Sequence, residues 1–134
     1  MNVLVAFDPP APPVTSNDRN GSAFRRRDIV SRKNLWLEAA YFATCAAFPG
    51  VGPDGRVMPP CDVFVSIPVF GERSRDPGNW YPTVKAIVDG IRMAGVWPDD
   101  NQMWVTTHEA DLRVVRTRAE MVSAQVLVRL APRS

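Results

Sequence analysis

Residues 61–70 read CDVFVSIPVF and residues 82–95 read PTVKAIVDGIRMAG, and the change of period between them decides the fold. In the first run Val63, Val65, Ile67 and Val69 alternate with Asp62, Phe64, Ser66 and Pro68, the two-residue period of a strand with one face on a core. Pro68 has no N–H to give a neighbour, which argues for an edge or a bulge there. In the second run Val84, Ile87, Val88, Ile91 and Ala94 recur at helical spacing, so a helix opening near Pro82 buries that stripe and ends at Gly95. Lys85, Asp89 and Arg92, at i, i+4 and i+7, share its polar face.

Upstream, Asn2 to Phe7 reads as a strand closed by Pro9, Pro10, Pro12 and Pro13, which fix φ and remove donors. A polar loop follows, with Thr15, Ser16, Asn17, Asp18, Asn20, Gly21 and Ser22, exposed and placed to touch a ligand. From about Asp28 to Phe48 the residues Val30, Leu37, Tyr41, Cys45 and Phe48 predict a long helix, stopped by Pro49-Gly50. The Gly- and Pro-rich stretch 51–60 reads as a loop. Downstream, a strand is expected from Met103, with Met103, Val105 and Thr107 alternating against Trp104, Thr106 and His108, and a last strand from about Gln125 to Leu130. The expected fold is α+β, a small mixed sheet of about four strands with two main helices packed on one face, in a single domain spanning all 134 residues.

An apolar fraction of 46% with 22% charged residues is that of an ordinary globular chain, which argues against a disordered tail or a membrane span. A net charge of +2 is too small to announce a nucleic-acid partner by itself. The cations are unevenly placed, however. Lys33 and Lys85 are the only lysines, and Arg25, Arg26 and Arg27 are bunched with Arg32 and Lys33 close behind. Two readings stand for this bunch, a phosphate-contacting patch or a solvated helix start. Arg73 and Arg75 add further candidate phosphate contacts. Cys45 and Cys61 lack the spacing of a zinc or disulfide framework and read as reduced packing residues, which points to a cytoplasmic setting. The apolar run Val3 to Phe7 is too short for a signal segment or a membrane anchor.

Three carboxylates bracket the second helix, Asp76 before it and Asp99-Asp100 after it. Clustered carboxylates are what a hard divalent cation needs, and a phosphodiesterase uses such an ion to polarise the phosphoryl group and ready a water. A right-handed crossover between neighbouring strands would instead leave Asp76 and the aspartate pair at opposite ends of the sheet. Pro-Asp-Asp-Asn is also ordinary turn chemistry, so spacing leaves both readings open.

The whole run RDPGNWYPTVKAIVDGIRMAGVWPDDNQMWV, Arg75 to Val105, resembles the RusA-like Holliday-junction resolvases. That family's pattern is an acidic D-x-D-N element, a helix bearing a lysine and an aspartate before a small-residue stop, then an Asp-Asp pair opening a strand. Ser16-Asn17-Asp18-Arg19 and the arginine-rich helix start are similar more loosely. The resemblance implies a homodimeric, Mg2+-dependent endonuclease, with Mn2+ a substitute, that resolves four-way DNA junctions in a bacterial or phage-infected cell without a small-molecule cofactor. It implies Asp76 and Asp100 as metal ligands, Asp99 as a ligand or orienting neighbour, and Lys85 as the charge on the scissile phosphate. The competing reading of Lys85 is a solvated helix lysine paired with Asp89.

Two departures stand out. Gly78 occupies the position of the family's second acid, and Trp80-Tyr81-Pro82 lengthens the spacing to Lys85 by about one helical turn. Asn79 then becomes a candidate oxygen ligand, with Glu72 a weaker substitute carboxylate. The same departures motivate an alternative, a branched-DNA-binding protein that has lost cleavage. A third reading is an unrelated dimerisation domain whose acidic turn is structural. His108 ranks below the aspartates as a catalyst. Trp80, Tyr81, Trp97 and Trp104 are candidates either for stacking on exposed bases or for packing.

Overall fold

β2, Cys61–Phe70, lies at the centre of a mixed five-stranded sheet in the computed structural model, which describes residues 2–16, 18, 22–71 and 76–133. Its alternation holds, with Cys61, Val63, Val65, Ile67 and Val69 buried against the core. β5, Val126–Pro132, runs antiparallel along Cys61–Ser66, and β1, Val3–Phe7, pairs antiparallel with β5. Along its other side β2 is parallel first to β3, Val105–Thr107, and then to β4, Asp111–Val115. Pairing with β5 ends at Ser66, so Pro68 has its partner on the β4 side alone. The edge implied by its missing N–H is therefore local, within a strand that is otherwise interior.

The α+β architecture expected from the sequence is present, with one strand more than the four anticipated. β4 carries Asp111 and Arg113 among its apolar residues, and a short helix, α3 (Arg118–Ser123), precedes β5. β3 begins at Val105 and not at Met103. The amides of Trp104 and Val105 both donate to the Asn101 carbonyl at 2.9 Å, and Met103 N–H donates to Asn101 Oδ1 at 3.0 Å, so residues 101–104 form a turn. Among the described residues no helix is long and apolar enough to cross a membrane.

α1, Ala23–Ala47, starts earlier than its apolar periodicity suggested because Ser22 caps it, its hydroxyl oxygen accepting from Arg25 N–H at 3.1 Å. Its buried line is also one residue out of phase with the expected Val30, Leu37, Tyr41 and Cys45. Ile29, Trp36, Ala40 and Thr44 face the core instead, and Val30 is 56% exposed. Trp36 sets the phase: its ring meets Phe7 edge-on at 6.1 Å and its indole N–H donates to the Pro12 carbonyl at 3.3 Å. Buried Thr44 costs little, since its hydroxyl donates to the Ala40 carbonyl at 2.7 Å.

α2, Tyr81–Met93, buries Val84, Ala86, Ile87, Val88 and Ile91, much as its pattern requires. It leans on α1 at Gly90, where a Cβ would stand 2.2 Å from the Leu37 carbonyl oxygen and 3.1 Å from Ala40 Cβ. Gly95, at φ +93°, ends the helical segment in the left-handed region. The proline-rich loop after β1 is tied across both helices. Thr83 Oγ1 accepts from Val14 N–H at 2.8 Å and donates to the Val14 carbonyl at 2.7 Å, while Arg32 donates to the Pro13 carbonyl at 2.7 Å.

Gly90→Ala tests this packing. In an open helix the change would add about 0.5–1 kcal/mol of stability. Here the methyl overlaps a carbonyl oxygen, and a net loss of about 1–3 kcal/mol is expected from urea unfolding. Unchanged or increased stability would mean that the two helices separate without cost.

Candidate active site

Lys85 is on the outer side of α2 because Val84, Ile87, Val88 and Ile91 take the inner side, and Asp89 follows one turn later on the same outer side. After Gly95 the chain turns back. Val96 and Trp97 are buried, and Met58 N–H holds the Val96 carbonyl at 2.9 Å, so the returning segment lies along the helix and delivers Asp100 to Lys85. The ammonium Nζ is 2.7 Å from Asp89 Oδ1 and 2.8 Å from Asp100 Oδ2. Two carboxylates thus converge on one cation.

The adjacent aspartates divide the two readings of the turn between them. Asp99 accepts the Asp100 backbone N–H on Oδ1 at 2.7 Å and Asn101 Nδ2 on Oδ2 at 3.3 Å, so its carboxylate shapes the turn that aims Asp100. Hydrogen bonds from Lys85 hold the Asp100 carboxyl down at about 2, and those to Asp100 and Asp89 raise the Lys85 ammonium to about 12. Lys85 therefore stays charged at any physiological pH.

Asp76 is placed differently. It caps the short 3-10 turn Pro77–Trp80, its Oδ1 accepting from Gly78 N–H at 3.0 Å. Among the contacts of the described residues there is none between Asp76 and Lys85, Asp89 or Asp100. Asn79 is joined to the N-terminal loop through its carbonyl, which accepts from Ser16 N–H at 2.7 Å. β2 and β3 are parallel neighbours with α2 in the crossover between them, and the chain returning after Gly95 brings Asp100 back beside Tyr81 and Lys85, toward the start of α2.

Around Lys85 the surface is concave on both sides. One hollow is formed with Tyr81, Val88, Asp100 and Thr107. The other lies between α2 and α1, against Lys33, Asn34 and Leu37, and a third continues from Lys33 and Pro82 to Arg26. Arg26, Lys33 and Lys85 therefore lie along one strip. Arg32 is spent inside the fold, 3.1 Å from both Asp18 and Asp28. Arg25, Arg26 and Arg27 are exposed at the start of α1, and Arg26 and Arg27 both line a groove on the outward side of that helix. Arg73, Arg75 and Glu72, like Asn17 and Arg19, lie outside the described residues.

Of the aromatic candidates, Trp80 and Trp97 are core residues at 8% and 2% exposure, Trp104 is half-buried, and Tyr81 is 58% exposed beside Lys85. His108 belongs to a separate group on the outer face of the sheet, where its Nε2 is 3.0 Å from Asp62 and its ring stacks on Phe64 at 4.4 Å. Asp89 was legible in the sequence only as a helical partner of Lys85. Its approach to Asp100 depends on the return of the chain after Gly95, and so does the proximity of Thr107.

Among the described residues no three His, Cys, Asp or Glu side chains group as a metal cage requires. Magnesium, however, commonly keeps several waters beside one or two carboxylates and substrate phosphates. Asp89 and Asp100 are two neighbouring carboxylates, with Asp89 Oδ1 and Asp100 Oδ2 bonded to the Lys85 ammonium. Comparison with the models of known protein families and with curated proteins returned no match.

The ion cluster has a defined pH signature. Asp100, held at about 2 against an ordinary 3.8, adds stability that is complete above about pH 4 and lost as pH falls through about 2. Lys85, at about 12 against 10.5, adds stability that is complete below about pH 10 and lost as pH rises through about 12. Urea midpoints of the wild type should therefore fall toward those of Asp100→Asn between pH 4 and pH 2. Parallel curves across that window would contradict the cluster.

Proposed function

We propose that this protein is a metal-dependent endodeoxyribonuclease for branched DNA of the RusA-like kind, resolving four-way junctions. The observation that carries the reading is the Lys85 ammonium drawn between Asp89 and Asp100 at the end of a strip bearing Arg26 and Lys33. A permanently charged lysine is unsuited to act as a base. It is suited to hold a phosphate and to stabilise the charge that grows on it during displacement. Arg26 and Lys33 would carry the flanking phosphates of one arm toward Lys85.

Asp100 and Asp89 would hold Mg2+, or Mn2+ in its place, with Asp99 orienting Asp100 through the backbone. The bound ion would polarise the phosphoryl group and lower the pKa of the attacking water. The resemblance would add Asp76 as a ligand; its Oδ1 accepts from Gly78 N–H and caps a turn. Glycine at position 78, where the family has an acid, supports the alternative of a branched-DNA-binding protein without cleavage. Tyr81, exposed beside Lys85, offers a ring on which a base freed at the branch point would stack.

Cleavage of a synthetic four-way junction in Mg2+ tests the assignment. Asp100→Asn and Lys85→Met should each lower the rate by ~10²–10³-fold. Asp76→Asn should cost far less, through its turn alone. Tyr81→Ala should narrow the preference for branched over linear duplex, while Tyr81→Phe preserves it. Undiminished cutting by both Asp100→Asn and Lys85→Met would refute the site. Tight junction binding with no cutting by the wild type would establish the alternative.

A further inference from the structure

Thr15, Thr44, Thr83, Thr106 and Thr117 spend their hydroxyls inside the fold. Those of Thr44 and Thr83 donate to the Ala40 and Val14 carbonyls at 2.7 Å, those of Thr15 and Thr117 bond Asp18 and Glu120 at 3.4 and 3.2 Å, and that of Thr106 accepts from Arg133. Thr107 differs from all of them: among the described residues no hydrogen bond engages its hydroxyl. Neighbours on a strand point to opposite faces. Thr107 pairs with buried Val63 and so takes the helix side of β3, where His108 N–H fixes the backbone by donating to the Val63 carbonyl at 3.0 Å.

On that side Thr107 lines a hollow of about 260 Å3 with Tyr81, Lys85, Val88 and Asp100. Lys85 also keeps a donor in reserve, since an ammonium carries three N–H bonds and Asp89 and Asp100 take two. Threonine hydroxyls and lysine ammoniums are both regular donors to phosphate oxygens. The hollow is smaller than the roughly 300–1,000 Å3 clefts that enclose drug-sized ligands, which suits one phosphodiester linkage better than a whole nucleotide. Val88 and the Tyr81 ring supply an apolar wall for the sugar.

We infer that Thr107 is a phosphate-binding residue, its hydroxyl donating to a non-bridging oxygen of a single DNA phosphodiester seated in this hollow beside the Lys85 ammonium. A β-branched side chain has few rotamers, and a strand holds it more precisely than a loop would, so the donor is in place before the ligand arrives. The inference deepens the proposed function and rests on it for the choice of DNA as the source of the phosphate.

Thr107→Val keeps the β-branched shape and removes the hydroxyl, while Thr107→Ser keeps the hydroxyl. Thymidylyl-thymidine, a dinucleotide with one phosphodiester, is titrated into the 15N-labelled protein in Mg2+ and followed by amide shifts. Saturable shifts are expected at Tyr81, Lys85, Asp100 and Thr107, with none from thymidine. Thr107→Val should weaken the dinucleotide by about 10–100-fold and slow junction cleavage by a similar factor, and Thr107→Ser should restore most of both. Equal dinucleotide affinity in the wild type and Thr107→Val, an equal response to thymidine, or no saturable shift in the wild type would overturn the inference. Dinucleotide binding that depends on Thr107 in a protein that cuts no junction would uphold the phosphate seat and refute the nuclease. Junction cutting at the wild-type rate by Thr107→Val, with dinucleotide affinity unchanged, would do the reverse.

Discussion

The approach of α2 to α1 at Gly90, where no side chain separates the helix from the Leu37 carbonyl, governs the direction of every other face of the two helices. With that contact made, Ile87 and Ile91 are fully buried in the core, and Lys85 and Asp89 are left on the rim that α2 shares with Lys33 and Asn34 of α1. Close-packed interiors transmit such constraints, since neighbouring atoms leave little room for either helix to rotate or withdraw. The proline-rich loop adds to the restraint through Thr83 and Arg32, which bind its carbonyls from the two helices.

Electrostatics inside that frame are local. Lys85 is nearly half exposed, and water screens much of its attraction to Asp89 and Asp100, so the cluster is better understood as a positioned charge than as a source of fold stability. Asp99 contributes by geometry, its carboxylate occupied by the Asp100 and Asn101 donors that shape the turn.

Much of the architecture was legible in the chain. The two-residue alternation of β2 and the apolar stripe of α2 are strong periodic signals, and both elements form with nearly the expected limits. The phase of α1 was not legible. Val30, Leu37 and Tyr41 are as apolar as the residues that are buried, and Trp36 with the small Ala40 and Thr44 prevails because that side meets Phe7 and the sheet. β4 carries little periodicity because the strand is short and its charged Asp111 and Arg113 share a face with buried Val115, and its identity depends on pairing with β2, a contact between residues 45 positions apart such as Ser66 and Asp111.

For the candidate site, helical spacing alone puts Lys85 and Asp89 on one face, because side chains four apart on a helix share a face whatever surrounds them, whereas spacing left the Asp99-Asp100 pair open between a site and a turn and only the resemblance favoured it. Tertiary structure alone decided that Asp100 and not Asp99 reaches Lys85, that Asp76 caps its own turn, and that Arg32 is consumed by Asp18 and Asp28 while Arg26 and Lys33 lead toward Lys85. Those outcomes depend on how the chain returns after Gly95 and on which side of α1 meets the core, and both are settled by packing between segments distant in sequence.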